Sequence, residues 1–381
     1  MDYLTQRRLA AAKNLKKDGI DALLVTNPVN VTYLTGFSGD SSYVVIGAKQ
    51  FIIVSDSRFE EQLKEECKEI ETHIRPHNKR THEAAAEVLT KMGAKNIGLE
   101  ADHATLGLQS ALAEAGPKLT FTTVQNAIES LRVVKDPSEV EQIRASIRVA
   151  ERAFTMFKAM ISEMDTEKDM VDRLEHYIRR AGAKKAAFPP IVAVGERGAL
   201  PHAPPTTSRN LGDGSKLLVD WGAELTYNCD ITRTFRSPYG TAPTRKNKHE
   251  RVGFNFDELY VIVSAAQDAA VGAIRHGAHG KDVDAAARKV FADARTRDDA
   301  SPKLHDYFTH GTGHGIGLEV HESPQIRANS DDILEAGMVV TIEPGLYIPG
   351  WGGLRIEDNY MVTKDGAIRL TTLPRDPNAI G

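Results

Sequence analysis

Val219-Asp220-Trp221-Gly222-Ala223-Glu224-Leu225-Thr226-Tyr227-Asn228-Cys229-Asp230-Ile231-Thr232-Arg233-Thr234-Phe235 holds two strand-like runs, each carrying an aspartate, joined by the short connection Ala223 to Asn228. β-Branched and aromatic residues on either side of a polar turn predict a hairpin. Such a hairpin brings Asp220 and Asp230 onto adjacent strands on one face. Two carboxylates there repel each other unless a cation neutralises them, so the stretch predicts a metal site as well as a local fold.

Further along, Glu343 and Glu357 flank the turn-rich Pro349-Gly350-Trp351-Gly352-Gly353, and a second hairpin can present two more carboxylates. Between the acidic pairs lies His310-Gly311-Thr312-Gly313-His314-Gly315-Ile316-Gly317-Leu318-Glu319-Val320-His321-Glu322. Its glycines lack both the dinucleotide-binding spacing and the Lys-Ser/Thr ending of a phosphate loop, and instead allow close backbone approach to a bound group. Asp220, Asp230, His314, Glu343 and Glu357 make an oxygen-rich donor set with a single nitrogen. That chemistry suits Mn²⁺, Co²⁺ or Zn²⁺ better than a structural thiolate site does.

With Thr341-Ile342-Glu343-Pro344-Gly345-Leu346-Tyr347 and Leu354-Arg355-Ile356-Glu357-Asp358-Asn359, these strings resemble the creatinase and aminopeptidase P superfamily. These are the pita-bread metallopeptidases, which include Xaa-Pro aminopeptidases, Xaa-Pro dipeptidases (prolidases) and methionine aminopeptidases. The resemblance runs over nearly the whole chain. It implies an α+β protein in which a smaller α/β creatinase-like domain, residues 1–132, precedes a pita-bread catalytic domain with a curved antiparallel sheet, residues 133–381. Gly19-Ile20-Asp21-Ala22-Leu23-Leu24-Val25 and Asn30-Val31-Thr32-Tyr33-Leu34-Thr35-Gly36-Phe37 look like that N-terminal domain. Typical methionine aminopeptidases lack it, which turns the reading toward the proline-directed branch.

By the same resemblance, Asp220 chelates one metal, His314 and Glu343 the other, and Asp230 and Glu357 bridge both. Such a pair of cations activates a bridging hydroxide and polarises the scissile carbonyl. Glu343 is then the proton acceptor, His202 and His321 hydrogen-bond the substrate carbonyl or oxyanion, and His310 supports them. Arg355 orients carboxylates or substrate, and Tyr347 lines the pocket. The implied function is a dinuclear metallo-exopeptidase, most readily with Mn²⁺, that cleaves the Xaa-Pro bond at the N-terminus of dipeptides or short peptides. A homodimer is implied too. The alternatives are creatinase-type C–N hydrolysis, which uses no metal, and a non-catalytic pita-bread protein serving as a binding module; both fit poorly with a full ligand set. One departure from the family is a connection between Asp220 and Asp230 that is one residue shorter than usual, with Tyr227 where a Gly-Tyr pair is expected. A tighter turn absorbs the deletion, whereas a one-residue slip would turn one aspartate to the other face.

Composition bounds the rest. At 381 residues, 41% hydrophobic and 26% charged, the chain suits two globular domains. A net charge of −4 gives no general attraction to nucleic acid or anionic lipid. The basic cluster Arg245 to Arg251 reads as a solvated loop. No run approaches the roughly 18 apolar residues of a membrane span, the start is amphipathic, and Cys67 and Cys229 make no disulfide framework, so a cytoplasmic protein is expected. The sequon Asn30-Val31-Thr32 is then idle. Alternating patterns (helix to Lys17, strand Asp21–Val25, strand Phe51–Val54, helix Arg58–Glu69) predict a layered N-terminal domain. Lys135-Asp136-Pro137-Ser138-Glu139 starts a helix just past the boundary. Helices near 138–160, 166–182, 257–275 and 281–296 alternate with strands at 189–195, 216–222, 230–236, 338–343 and 355–362.

Overall fold

In the computed structural model, which describes residues 2–239, 254–295 and 303–378, the chain divides into two compact units, Met1–Arg132 and Val133–Gly381. The basic cluster at 245–251 lies outside the described residues.

The first unit runs α1 (Tyr3–Lys17), β1 (Ala22–Val25), α2 (Pro28–Thr35), β2 (Tyr43–Gly47), β3 (Phe51–Ser55), α3 (Glu60–Glu66), β4 (Glu71–Ile74), α4 (Thr81–Lys91), β5 (Asn96–Glu100), α5 (Leu106–Ala115), β6 (Thr120–Val124) and α6 (Glu129–Arg132). Its six strands form a mixed sheet in the order β4-β3-β2-β1-β5-β6. β1 is buried along its whole length, as its unbroken Ala-Leu-Leu-Val run requires of a central strand covered on both faces. Asn30 of the sequon is buried, and its amide donates to Glu100 and Glu129, so its side chain is committed to the interior. The helix expected from Arg58 to Glu69 is shorter, because Asp56 holds Arg58 and a turn follows Cys67.

The second unit begins with α7 (Pro137–Lys158) and α8 (Glu167–Arg180), followed by β7 (Lys185–Ala186), β8 (Ile191–Val194), β9 (Lys216–Trp221), β10 (Ala223–Glu224) and β11 (Ile231–Arg236). Then come α9 (Phe256–Ala273), α10 (Gly280–Asp293), β12 (Gly313–Gly315), β13 (Glu322–Ile326), β14 (Val339–Ile342), β15 (Gly345–Ile348), β16 (Gly352–Arg355), β17 (Asp358–Val362) and β18 (Ala367–Arg369). The signal at Asp136 acts as read: its carboxylate accepts from the Ser138 and Glu139 amides, Glu139 returns a bond to the Asp136 amide, and Pro137 opens the helix.

All strand pairings in this unit are antiparallel among the described residues. The curved sheet is built in pieces: β11-β9-β8, β13-β12-β14-β17-β18 and the hairpin β15-β16. Backbone and hydroxyl bonds stitch the pieces together, with the Glu357 amide donating to the Thr232 carbonyl at 3.0 Å and the Thr234 hydroxyl donating to the Arg355 carbonyl at 3.1 Å. Each main piece is backed by its own helix pair. α7 and α8 pack on β8, β9 and β11, where Phe154 stacks on Trp221 and Phe235, while α9 and α10 pack on β14 to β17. The strand expected over 355–362 is interrupted at 356 and 357, where the chain passes from the hairpin into the five-stranded sheet.

Candidate metal centre

Register decides where the aspartates point. β9 and β11 pair with Asp220 opposite Thr232 and Trp221 opposite Ile231. Asp230 stands two residues before Thr232, hence on the same face as Thr232 and Asp220. Trp221, Cys229 and Ile231 alternate to the helix side and are fully buried against α7, so Cys229 faces the core and not the site. The shortened connection makes a compact turn in which Glu224 bridges Asn228. Tyr227 fastens that turn to α7, its hydroxyl donating to Glu139 at 2.7 Å while its carbonyl accepts from Ser146 at 2.6 Å. No slip has occurred.

The second acidic pair sits just outside the β15-β16 hairpin, not within its strands. Ile342 pairs with Asp358 and Gly345 with Arg355, so the same register carried across the gap sets Glu343 opposite Glu357. Both carboxylates therefore emerge where the chain leaves one sheet piece for another. His314 arrives on β12; its amide donates to Thr341 Oγ1 at 3.2 Å, and the Glu343 amide donates to the Thr312 carbonyl at 2.7 Å.

These elements bring the five expected ligands together. His314 Nε2 lies 3.8 Å from Asp230 Oδ2 and 3.7 Å from Glu343 Oε1. Donor atoms within 4.8 Å of one another group Asp220 with Asp230 and Glu357, and His314 with Glu343 and Glu357. His314 Nδ1 bonds the Gly315 carbonyl at 3.0 Å, which makes Nδ1 the protonated nitrogen and leaves Nε2 a bare donor pair.

The carboxylates carry the signature of unmet demand. Arg355 bonds Asp220 Oδ2 at 2.5 Å, and the Thr232 hydroxyl donates to Glu357 Oε2 at 2.8 Å. Asp220 Oδ1, Asp230 Oδ1 and Glu357 Oε1 are buried without any hydrogen-bond partner. Leaving such groups unpaired is strongly unfavourable, so the donor set fits a divalent cation pair. Burial, then the neighbouring Glu357, Asp220 and Glu343, hold the Asp230 carboxyl well above its ordinary range, and burial followed by Glu343 and Asp220 does the same to Glu357. Glu343 is pushed up to about 7, chiefly by burial. His314 is pushed down to about 4 by burial and by His321, which keeps it neutral and able to ligate.

The remaining expected residues line the same cleft, which has a volume of about 740 Å³ and includes His202, His310, His321 and Arg355. His321 is exposed, with its ring edge-on to His314 at 4.4 Å and one nitrogen close enough to Asp230 and His314 to join their donor group. His310 is held by the protein at both nitrogens: Nδ1–H donates to the Gly311 carbonyl and Nε2 accepts from the Tyr347 hydroxyl, each at 2.7 Å. Arg355 donates to Tyr347, Thr232 and Asp220 at once.

Sequence reasoning missed the groups that aim these side chains. Thr232 links Arg355 to Glu357, and its place two residues after Asp230 on an alternating strand was the signal for it. Asn359 matches the Asp230 backbone with its side-chain amide, and buried Asp284 of α10 receives the Thr312 amide and hydroxyl. Asp284 carried no signal, since its partner is 28 residues away. Phe188, Pro189, Pro190, Gln325 and Arg327 also line the cleft.

A helix-backed antiparallel fold with a five-residue carboxylate and imidazole cluster defines a pita-bread metallohydrolase. The Metallopeptidase family M24 model matches residues 141–364 and the Creatinase/Prolidase N-terminal domain model matches residues 7–134. The chain belongs to the M24 metallopeptidases, within the creatinase and aminopeptidase P superfamily. It is 32% identical to an Xaa-Pro dipeptidase of Pyrococcus furiosus over 98% of this chain and 99% of the relative. Among solved structures it is similar to an Xaa-Pro dipeptidase from Bacillus anthracis (TM-score 0.87, 31% identity, 98% of this chain and 99% of that one). It is similar also to an X-Pro aminopeptidase from Thermotoga maritima (TM-score 0.83, 31% identity, 96% and 99%).

Proposed function

We propose that this chain is a metal-dependent exopeptidase that hydrolyses the Xaa-Pro bond at the N-terminus of dipeptides or short peptides. The observation that carries the reading is the convergence of buried carboxylates with bare oxygens around the imidazole of His314. Asp220 would hold one cation, His314 and Glu343 the other, with Asp230 and Glu357 shared; Mn²⁺ is the expected occupant, and Co²⁺ or Zn²⁺ suit the same donors. Bound there, the cations supply Lewis acidity toward the scissile carbonyl and toward water.

The chain's own residues do the rest. Glu343 lines the cleft beside the other ligands, where its carboxylate can take a proton from the attacking water and pass it to the leaving amine. His321 and His202 present imidazoles to the carbonyl oxygen as it gains charge, while the Tyr347 bond holds the ring of His310 beside the cleft. Arg355 fixes Asp220 and, through Thr232, Glu357, so that their bare oxygens keep their aim. Proline has no amide hydrogen, and a wall of Phe188, Pro189, Pro190 and Pro204 selects its ring by shape. Arg327 lines the same cleft.

A full donor set with bare buried oxygens argues against metal-free C–N hydrolysis and against a purely binding role. The reading carries with it a homodimer in the cytoplasm, in keeping with two buried free cysteines. No helix among the described residues is long and apolar enough to cross a membrane. Asp230→Ala tests the centre: metal content by mass spectrometry should fall for both ions and Xaa-Pro turnover should vanish, with circular dichroism unchanged. Undiminished turnover would reject the dinuclear assignment. Comparing Xaa-Pro with Xaa-Pro-Xaa under Mn²⁺, Co²⁺ and Zn²⁺ ranks substrate and metal.

A further inference from the structure

The loop between β12 and β13 carries His321 at the cleft, yet it is tied down by groups with no place in the chemistry above. Lys135, just ahead of α7, donates to Glu322 Oε2 at 3.1 Å, and the two side chains are only 1% and 6% exposed. The other Glu322 oxygen accepts the Glu319 amide at 2.9 Å, and the Gly317 amide donates to the Glu319 carbonyl at 3.0 Å, so the loop is coiled around that carboxylate. Gly317 makes room for it: a methyl there would stand 2.7 and 2.9 Å from the Glu322 oxygens. From the opposite side, the Asn228 side chain holds the carbonyls of Gly317 and Leu318 at 3.2 and 2.8 Å.

A buried ion pair of this kind adds little net stability over apolar packing of the same shape. What it does add is a fixed position for the residue it belongs to. Glu322 is the covalent neighbour of His321, and a carboxylate pinned at both oxygens leaves the preceding residue few orientations. From this geometry we infer that Lys135 and Glu322 are positioning residues that lock His321 over the metal centre. The inference rests on the peptidase reading for its consequence, but not for its geometry.

The test uses the full-length, Mn²⁺-loaded protein. Lys135→Met, and the charge-neutral pair Lys135→Met with Glu322→Gln in case the single variant folds poorly, should keep wild-type metal content. Each should lose about tenfold or more in kcat with KM little changed, and Lys135→Arg should recover most of the loss. In a His321→Ala background, adding Lys135→Met should change kcat by less than about twofold, since residues that act through one group are not additive. Multiplying losses in that background, or a normal kcat in both variants, would overturn the inference. Hydrogen exchange on metal-free protein gives an arm independent of activity. Amides 318–322 should exchange faster in Lys135→Met while those of 345–348 do not, and equal rates would equally overturn it. A wild-type protein without Xaa-Pro activity would instead sink the peptidase reading and leave the exchange result to decide the lock.

Discussion

At the scale of single residues the centre is a problem in charge. Asp220, Asp230, Glu343 and Glu357 share one pocket with Arg355. Burial opposes the Arg355 charge, and Tyr347 with the surrounding carboxylates more than reverses that, so Arg355 stays ionised. Protons fill part of the deficit in the metal-free protein, since Asp230 and Glu357 titrate well above their usual range and Glu343 at about 7. A cation must displace them. Affinity for Mn²⁺ should therefore rise as pH climbs through about 7, where Glu343 gives up its proton, because protonated carboxyls compete with metal. His314, at about 4, is already neutral across the window and adds nothing to the slope. Calorimetry in two buffers of different ionisation enthalpy should register proton release on binding at pH 6, diminishing by pH 8. His321→Ala makes a second prediction: metal content holds while kcat falls by an amount equivalent to about 2–4 kcal/mol. Normal kinetics would remove His321 from the oxyanion role.

At the scale of elements, two strand junctions do the aiming. The β9–β11 hairpin needs Gly222, because a methyl there would drive into the Cys229 carbonyl oxygen. Gly222→Ala should splay the hairpin, separate Asp220 from Asp230 and weaken metal binding at least as much as it weakens the fold; metal titration beside urea denaturation checks the two. Removing the core partner instead should dissociate the effects. Trp221→Ala empties a fully buried aromatic site stacked on Phe154 at 4.5 Å and should destabilise by roughly 3–5 kcal/mol, with metal content retained wherever the protein remains folded. Most of these elements were legible in the chain. Helices α7 to α10 and strands β8, β9, β11 and β14 lie within a few residues of the positions that periodicity and capping mark. The break at 356 and 357 was not legible, since residues 355–362 read as one continuous strand and only its neighbours make it change sheets.

At the scale of the whole molecule, all five centre residues and both cores that support them belong to Val133–Gly381, while a separate core lies within the first unit. A fragment of residues 133–381 should accordingly bind Mn²⁺ with the stoichiometry of the full chain, as measured by mass spectrometry after gel filtration, and a fragment that folds but cannot bind would show the centre to need the first unit. By itself the sequence determined the class of fold and the branch of the family and marked a candidate donor set, because hydrophobic period, cap residues and chelating side chains are local properties of the chain. It also contained the shortened turn at Tyr227 and could not say how the turn is absorbed. Only the tertiary structure decided that Asp220 and Asp230 share a face, that Glu343 stands opposite Glu357, and that Thr232 bonds Glu357, Asn359 the Asp230 backbone, Asp284 Thr312 and Lys135 Glu322. The side-chain bonds among them join residues from 28 to 187 positions apart, and hydrogen-bond direction at that distance is fixed by packing and register, which no local pattern encodes.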